Sequence, residues 1–393
     1  MRYAAGLTAV LVSLAVVAAC TFEDAKERPT SSDGGTGAGR ETPDASSEDA
    51  TAGDGAIAES DAGERDGGDD GSTTVDAGGT TNAASCKPGG PGMTNCGTAN
   101  ESCCTSPLVQ GGAFSRVYAS NGGIASGLSF SATVRSFRLD KYEVTVGRFR
   151  RFVAAWNGNW RPTGGAGKHV HVGPLGLDDV GSAGAHELGW DSPIGDGQVT
   201  PTSTNLASDG SNSTWTVTPA GNENKPINTV NWYEAFVFCI FDGGFLPSEA
   251  EWEYAAAGGA QQRDYPWGAA APTTSLANYG CFDRADCDGA NSIKSVGMLP
   301  GGAGLWGQLD LAGNVWEWTM DWYVGDPTHY QTSSCVDCVS ATPPDPNIGR
   351  SSRSGDFLNN DTNLPARLRN QYYGSRRSDQ RDGLVGFRCA RSP

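Results

Sequence analysis

The sequence predicts an α+β fold with little regular secondary structure, held together by disulfides and bound ions. Three observations carry that expectation. Beyond about residue 107 only three stretches repeat apolar residues at helical spacing. The remainder is rich in Gly, Asn, Asp and Trp and leaves room for short strands at most. Ten of the eleven cysteines lie beyond residue 85, an even number that suits pairing.

The chain has 393 residues, and its first twenty read MRYAAGLTAVLVSLAVVAAC. Arg2 supplies a short positive region, and residues 4–19 form an apolar run too short for a comfortable membrane span. The ending Val17-Ala18-Ala19-Cys20 resembles the lipobox of bacterial lipoproteins. It implies a signal peptide over 1–19, lipidation of Cys20, and a mature protein anchored by lipid on the outer side of a membrane in the cell envelope. An ordinary signal peptide with an incidental cysteine is the alternative. Residues 20–85 form an acidic linker made of Gly, Ala, Ser, Thr, Asp and Glu, with almost nothing large to bury. Residues 21–85 hold 16 acids and 4 bases, a net of −12 within a total of −17. The acidity therefore belongs mostly to the tether. No broad basic surface is implied, which argues against a nucleic-acid partner.

Residues 86–106 form a Cys-rich segment with Cys86, Cys96, Cys103 and Cys104. It reads as a stapled flap without a core of its own, and its pairing is left open. Zinc is disfavoured there, because the segment has no histidine and the compartment is oxidising. A domain over 107–393 follows. Thr145 is a plausible N-cap, and Val146, Phe149, Phe152, Val153 and Trp156 share one helical face. A second helix starts near Asn231 and ends at Gly243-Gly244. A third opens with a capping box of Ser248 and Glu251 and stops at Gly258-Gly259.

Residues 310–322 read DLAGNVWEWTMDW and place Glu317 between two tryptophans. An ionised carboxylate there needs a cation or hydrogen-bond donors. The ordered series FRLDKYEVTVGRF, PINTVNWYEAFVFC, GGFLPSEAEWEYAAAGG, YPWG, LDLAGNVWEW and GFRCAR resembles the formylglycine-generating enzymes, also called sulfatase-modifying factors. The match runs from about Leu108 to Arg391. The resemblance implies a C-type-lectin-like domain and structural calcium. One ion would take side-chain oxygens of Asp310 and Glu317 and the carbonyls of Gly313 and Val315. A second would use Asn278, Asp288 and the carbonyls of Tyr279 and Ala290, in a looser match. The alternative for Glu317 is a solvated or hydrogen-bonded carboxylate. The resemblance also implies a Cys239–Cys389 disulfide. Cys281 and Cys287 are expected to pair locally. Cys335 and Cys338 have thioredoxin-like spacing but lie in a loop outside any βαβ unit, so a structural disulfide is expected.

The family chemistry rests on two cysteines that hold copper(I), which activates oxygen to oxidise a substrate cysteine to an aldehyde. Counted forward from Arg353-Ser354-Gly355-Asp356-Phe357, those positions hold Asn359 and Leu364; counted back from Gly386-Phe387-Arg388, they hold Asn360 and Pro365. Neither count finds a thiol, and copper(I) wants soft ligands. Copper and formylglycine production are therefore not expected. His169, His171 and Glu187 could in principle bind iron, but the Gly-rich insertion that carries them reads as a surface loop. Two classes compete: a calcium-stabilised binding or scaffold module with a peptide or protein ligand, and an oxidoreductase with a non-copper metal. The resemblance places Arg367 and Arg369 in the candidate groove.

Overall fold

The computed structural model describes residues 83–116, 130–323, 335–343, 348–364 and 377–393. The signal peptide, Cys20, nearly all of the linker, His329, Arg367 and Arg369 lie outside the described residues. Strands β1 (Leu108–Val109), β2 (Gly112–Arg116), β3 (Phe130–Val134) and β4 (Phe137–Leu139) precede helix α1 (Val146–Asn157). The Thr145 hydroxyl accepts from Arg148 N at 3.2 Å and starts that helix. Its apolar face buries Val146, Phe149, Phe152 and Trp156.

Strand β5 (Asp178–Asp179) and the one-turn helices α2 (Ser192–Gly195) and α3 (Ser203–Leu206) sit in the insertion that follows. Helix α4 (Trp232–Phe241) begins with a capping box of Asn231 and Glu234, and α5 (Glu249–Ala256) with one of Ser248 and Glu251. The one-turn α6 (Gly289–Ser292) leads to β6 (Trp316–Trp322). Strands β7 (Cys335–Val336), β8 (Cys338–Val339), β9 (Arg350–Arg353), β10 (Val385–Gly386) and β11 (Ala390–Arg391) complete the described part. It is an α+β fold with little regular structure, and its sheets are small: β1-β4-β11, β10-β6-β9, β2-β3-β7 and β5-β8. In the second, β6 runs parallel to β10 and antiparallel to β9.

Phe149 stacks on Phe238 of α4 at 5.6 Å, and Phe387 meets both rings edge-on. The Cys239–Cys389 disulfide fastens α4 to the chain just before β11. The other pairs are Cys86–Cys104, Cys96–Cys103, Cys281–Cys287 and Cys335–Cys338. The N-terminal segment docks on the domain. Arg148, fully buried, bonds Asp140 at 3.0 Å, Asp242 at 2.6 Å and the Ser85 hydroxyl at 2.9 Å. Ser85 N also donates to Asp242 at 2.9 Å. Ala83 and Ser85 are buried, so ordered structure begins before Cys86.

Candidate functional site

Strand β6 is buried on both faces, and Glu317, its second residue, has no solvent exposure. Helix α5 presents Trp252 Nε1 to Glu317 Oε2 at 2.8 Å. Arg388, arriving just after β10, forks onto both oxygens at 2.7 and 2.6 Å. The guanidinium also donates to the carbonyls of Asp140, Lys141 and Leu309. Glu317 thus sits between its tryptophans because a bidentate arginine and an indole satisfy it. Two further carboxylates gather nearby. Asp310 accepts from Gly297 N at 2.6 Å, and Glu143 accepts from Asn314 Nδ2 at 2.8 Å. Burial raises Asp310 to about 6, against the pull of the Gly297 amide and Arg388. Burial, then the charges of Asp310 and Glu317, hold Glu143 well above the usual carboxylate range. Glu143 Oε1 is buried without a hydrogen-bond partner.

These observations bear on the first implied calcium set. Two fully buried carboxylates, Glu143 and Glu317, and the half-buried Asp310 face one guanidinium, which leaves two uncompensated charges when all are ionised. A hard divalent cation would balance them, and it would draw on the Gly313 and Val315 carbonyls as well as side chains. Gly313 has φ +82°, a turn that glycine adopts without penalty. The charge excess fits the first set to an ion, although Glu317, Asp310 and the Gly313 carbonyl also accept hydrogen bonds within the chain.

The second set does not. Lys225 Nζ donates to the Ala290 carbonyl at 2.6 Å. Asn278 Nδ2 donates to Ser292 O at 3.0 Å and to Asn314 Oδ1 at 3.1 Å. Asp288 accepts from Asn291 Nδ2 at 2.9 Å. The Ala290 carbonyl and one Asp288 oxygen are thus already partnered within the chain, and a lysine ammonium occupies the first.

The positions matched to the copper ligands are closed in the same manner. Asp356 is buried and gathers four donors: Trp316 Nε1 at 2.6 Å, Asn359 Nδ2 at 2.5 Å, Leu358 N at 2.7 Å and Asn359 N at 2.9 Å. Leu364 is fully buried beside Ala277 and Ala312. Asn360, the position from the other count, caps the turn Asp361–Asn363 through its side chain. Ser354, where the family pattern has glycine, holds φ +102° and donates its hydroxyl to Gly313 O at 3.1 Å. That conformation strains a serine. All ten cysteines among the described residues are paired.

The histidines correct the surface-loop reading. His169 is fully buried, and the His171 side chain is nearly so. The insertion folds back on α5, where Phe245 packs against both rings. His169 Nδ1 lies 2.9 Å from Glu187 Oε2. His169 Nε2 lies 3.1 Å from Glu251 Oε2, near enough for an ion pair but off the line of a hydrogen bond. His171 Nε2 is 3.6 Å from the other Glu251 oxygen. Burial pulls His169 down, but the charges of Glu187 and Glu251 outweigh it and push the imidazole up to about 10. His186 turns away, to Asp178 at 2.9 Å. Among the described residues no three His, Cys, Asp or Glu side chains are grouped to hold a metal ion. The fitted calcium set differs in relying on carbonyls.

Sequence reasoning missed a cleft. A cavity of about 310 Å³ opens between α4, β6 and β9, lined by Trp190, Trp232, Tyr233, Met320, Trp322 and Arg350. The Arg350 guanidinium lies between two indoles, 3.7 Å from the Trp232 ring and 3.8 Å from Trp322. Burial lowers it to about 9. The described arginines near the C-terminus are held by different acids. Arg377 meets Asp379 at 3.1 Å, but Arg381 reaches Glu234 at 2.5 Å, and Arg388 takes Glu317.

Comparison with known proteins agrees with this geometry. Residues 94–393 match the family model described as the sulfatase-modifying factor enzyme 1-like domain. A formylglycine-generating enzyme from Streptomyces coelicolor is 34% identical over 272 residues, which cover 65% of this chain and 78% of that protein. Shorter matches reach an inactive C-alpha-formylglycine-generating enzyme 2 from Bos taurus, 39% identical over 25% of this chain and 33% of that protein. A hercynine oxygenase from Mycolicibacterium thermoresistibile is 38% identical over 28% of this chain and 25% of that protein. The chain belongs to the sulfatase-modifying factor family, the family of the formylglycine-generating enzymes.

Proposed function

We propose that this protein is a lipid-tethered binding module of the family, stabilised by calcium and disulfides, that generates no formylglycine. One observation carries the reading: the positions matched to the copper thiolates hold Asn359 and Leu364, and every cysteine among the described residues is locked in a disulfide. A soft two-thiolate site has no donors there. The aromatic cleft around Trp232 and Trp322 gives the module a place to receive an extended peptide segment of a protein partner. Copper titration of the purified protein under reducing conditions that spare buried disulfides tests the loss. No stoichiometric copper(I) binding is expected; tight binding of one ion per chain would overturn it.

Calcium would be held by Asp310, Glu317 and the carbonyls of Gly313 and Val315, with Glu143 adjoining. When bound, it supplies charge balance to a buried acidic centre. Chelation should then lower the melting temperature, and Glu317→Gln should remove most of that response. A melting temperature indifferent to chelator would remove calcium from the reading. The tether rests on Val17-Ala18-Ala19-Cys20. Among the described residues no helix is long and apolar enough to cross a membrane. Cys20→Ser should release the protein from membranes or block its processing; unchanged fractionation would defeat the anchor.

A second reading, an oxidoreductase with a different metal, is favoured by one feature. His171 has two buried ring nitrogens without hydrogen-bond partners, close to His169 and Glu251. A redox metal in the purified protein would support it, and calcium alone would remove it.

A further inference from the structure

The second implied calcium position carries a cation of the chain's own making. We infer that the ammonium of Lys225 takes the place of a divalent ion beside Asn278, Tyr279, Asp288 and Ala290, and that this position binds no calcium. Lys225 Nζ holds the Ala290 carbonyl at 2.6 Å, the same oxygen the ion would need. Backbone contacts fix the two segments side by side: Val296 N donates to Asn224 O at 2.9 Å, and a Cβ on Gly289 would fall 2.4 Å from Ser211 O. Gly289 has φ +45°, which lets the chain make that approach.

Charge decides between the two cations. Asp288 is the one carboxylate of this set; burial lowers the Lys225 ammonium below its usual range, and the attraction of Asp288 offsets part of that. The neighbouring Asp286 is held by Arg284 at 2.6 Å and adds nothing. One negative charge matches one ammonium. At the first set, the buried Glu143 and Glu317 and the half-buried Asp310 against a single guanidinium call for two more positive charges. Geometry agrees. Calcium wants six to eight oxygens at about 2.3–2.6 Å, whereas an ammonium needs only a few acceptors for its three N–H groups. Asn278 already donates its amide to Ser292 and Asn314, and Asp288 is braced by Asn291. The two sets have thus diverged: one keeps the charge excess of a divalent site, and the other is closed by a lysine.

The inference shares with the calcium reading only the location of the set, so the two are separable by variant. Full-length protein is equilibrated with calcium, gel-filtered, and its calcium per chain measured by elemental mass spectrometry. Asp288→Asn, an exposed change that the fold tolerates, should leave the wild-type count unchanged. Lys225→Met, or Lys225→Gln if the first misfolds, should raise the count by one, because the Ala290 carbonyl is then released and the Asp288 charge is left unmatched. Loss of an ion on Asp288→Asn would overturn the inference, as would a folded Lys225 variant that gains none. Failure of the first-set reading shows elsewhere, as a count that Glu317→Gln does not change.

Discussion

The centre around Glu317 and the loop from Asp356 to Leu364, which bonds the neighbouring Trp316, differ in what they hold. The first keeps a fully buried network in which Arg388 bridges Glu317 and three backbone carbonyls. The second has Asn359, bonded to the Asp356 carboxylate, and the buried Leu364 where the forward count from the resemblance implies thiolates. The difference separates two kinds of constraint. Charges taken out of water must stay matched or the fold fails. A metal-binding pair at the edge of a cleft can be replaced by hydrogen bonds and apolar packing without disturbing the frame beneath it.

The largest expected effect breaks the kept centre. Arg388→Met leaves Glu317 and Glu143 buried, with Asp310 beside them, without their guanidinium. By the measured cost of orphaning a buried charge, it should lose about 3–5 kcal/mol or prevent folding. Chemical denaturation reads this; a loss below about 1 kcal/mol would mean that the centre is hydrated or otherwise neutralised.

The pH dependence is smaller and concerns the cluster under the insertion. His169 is held up to about 10 by Glu187 and Glu251 after burial has pulled it down. An imidazole raised in the fold contributes stability that is complete below about pH 6.5 and is lost as pH climbs towards 10. Glu187 and Glu251 are held below their usual range by His169 in spite of burial, so their contribution is present above about pH 4.5 and is lost in acid. Stability from this cluster should therefore peak between the two and fall on the alkaline side by up to ~1.4 kcal/mol per pH unit. His169→Gln should flatten the alkaline limb of the melting curve series. An identical slope in wild type and variant would make the buried imidazole neutral.

The smallest effect falls on the replaced loop. Asn359→Ala removes one amide donor from Asp356, which keeps Trp316 Nε1 and two backbone amides. A cost of about 1 kcal/mol is expected, well below that of Arg388→Met. Equal losses at the two sites would erase the distinction between them.

Much of the frame was legible in the sequence. Thr145, Asn231 and Ser248 announce the three longer helices, because caps act over three residues and are written locally. The unusual placement of Glu317 was legible too, but its partner was not. Arg388 lies 71 residues away and Trp252 lies 65, and nothing in local spacing joins them. Lys225 and Ala290 meet in the same fashion. The glycines around His169 and His171 suggested a surface loop. Their burial depends on Phe245 and Glu251 of a distant segment, so only tertiary packing reveals it.

The central claim is that the chemistry of the family has been replaced while its scaffold has been kept. It is tested most directly by incubating the copper-loaded, oxygenated protein with a cysteine-containing peptide substrate of an active relative, and measuring aldehyde by mass spectrometry. No aldehyde above the no-enzyme control is predicted, from a protein that melts cooperatively and remains folded throughout. Catalytic turnover to the aldehyde would contradict it.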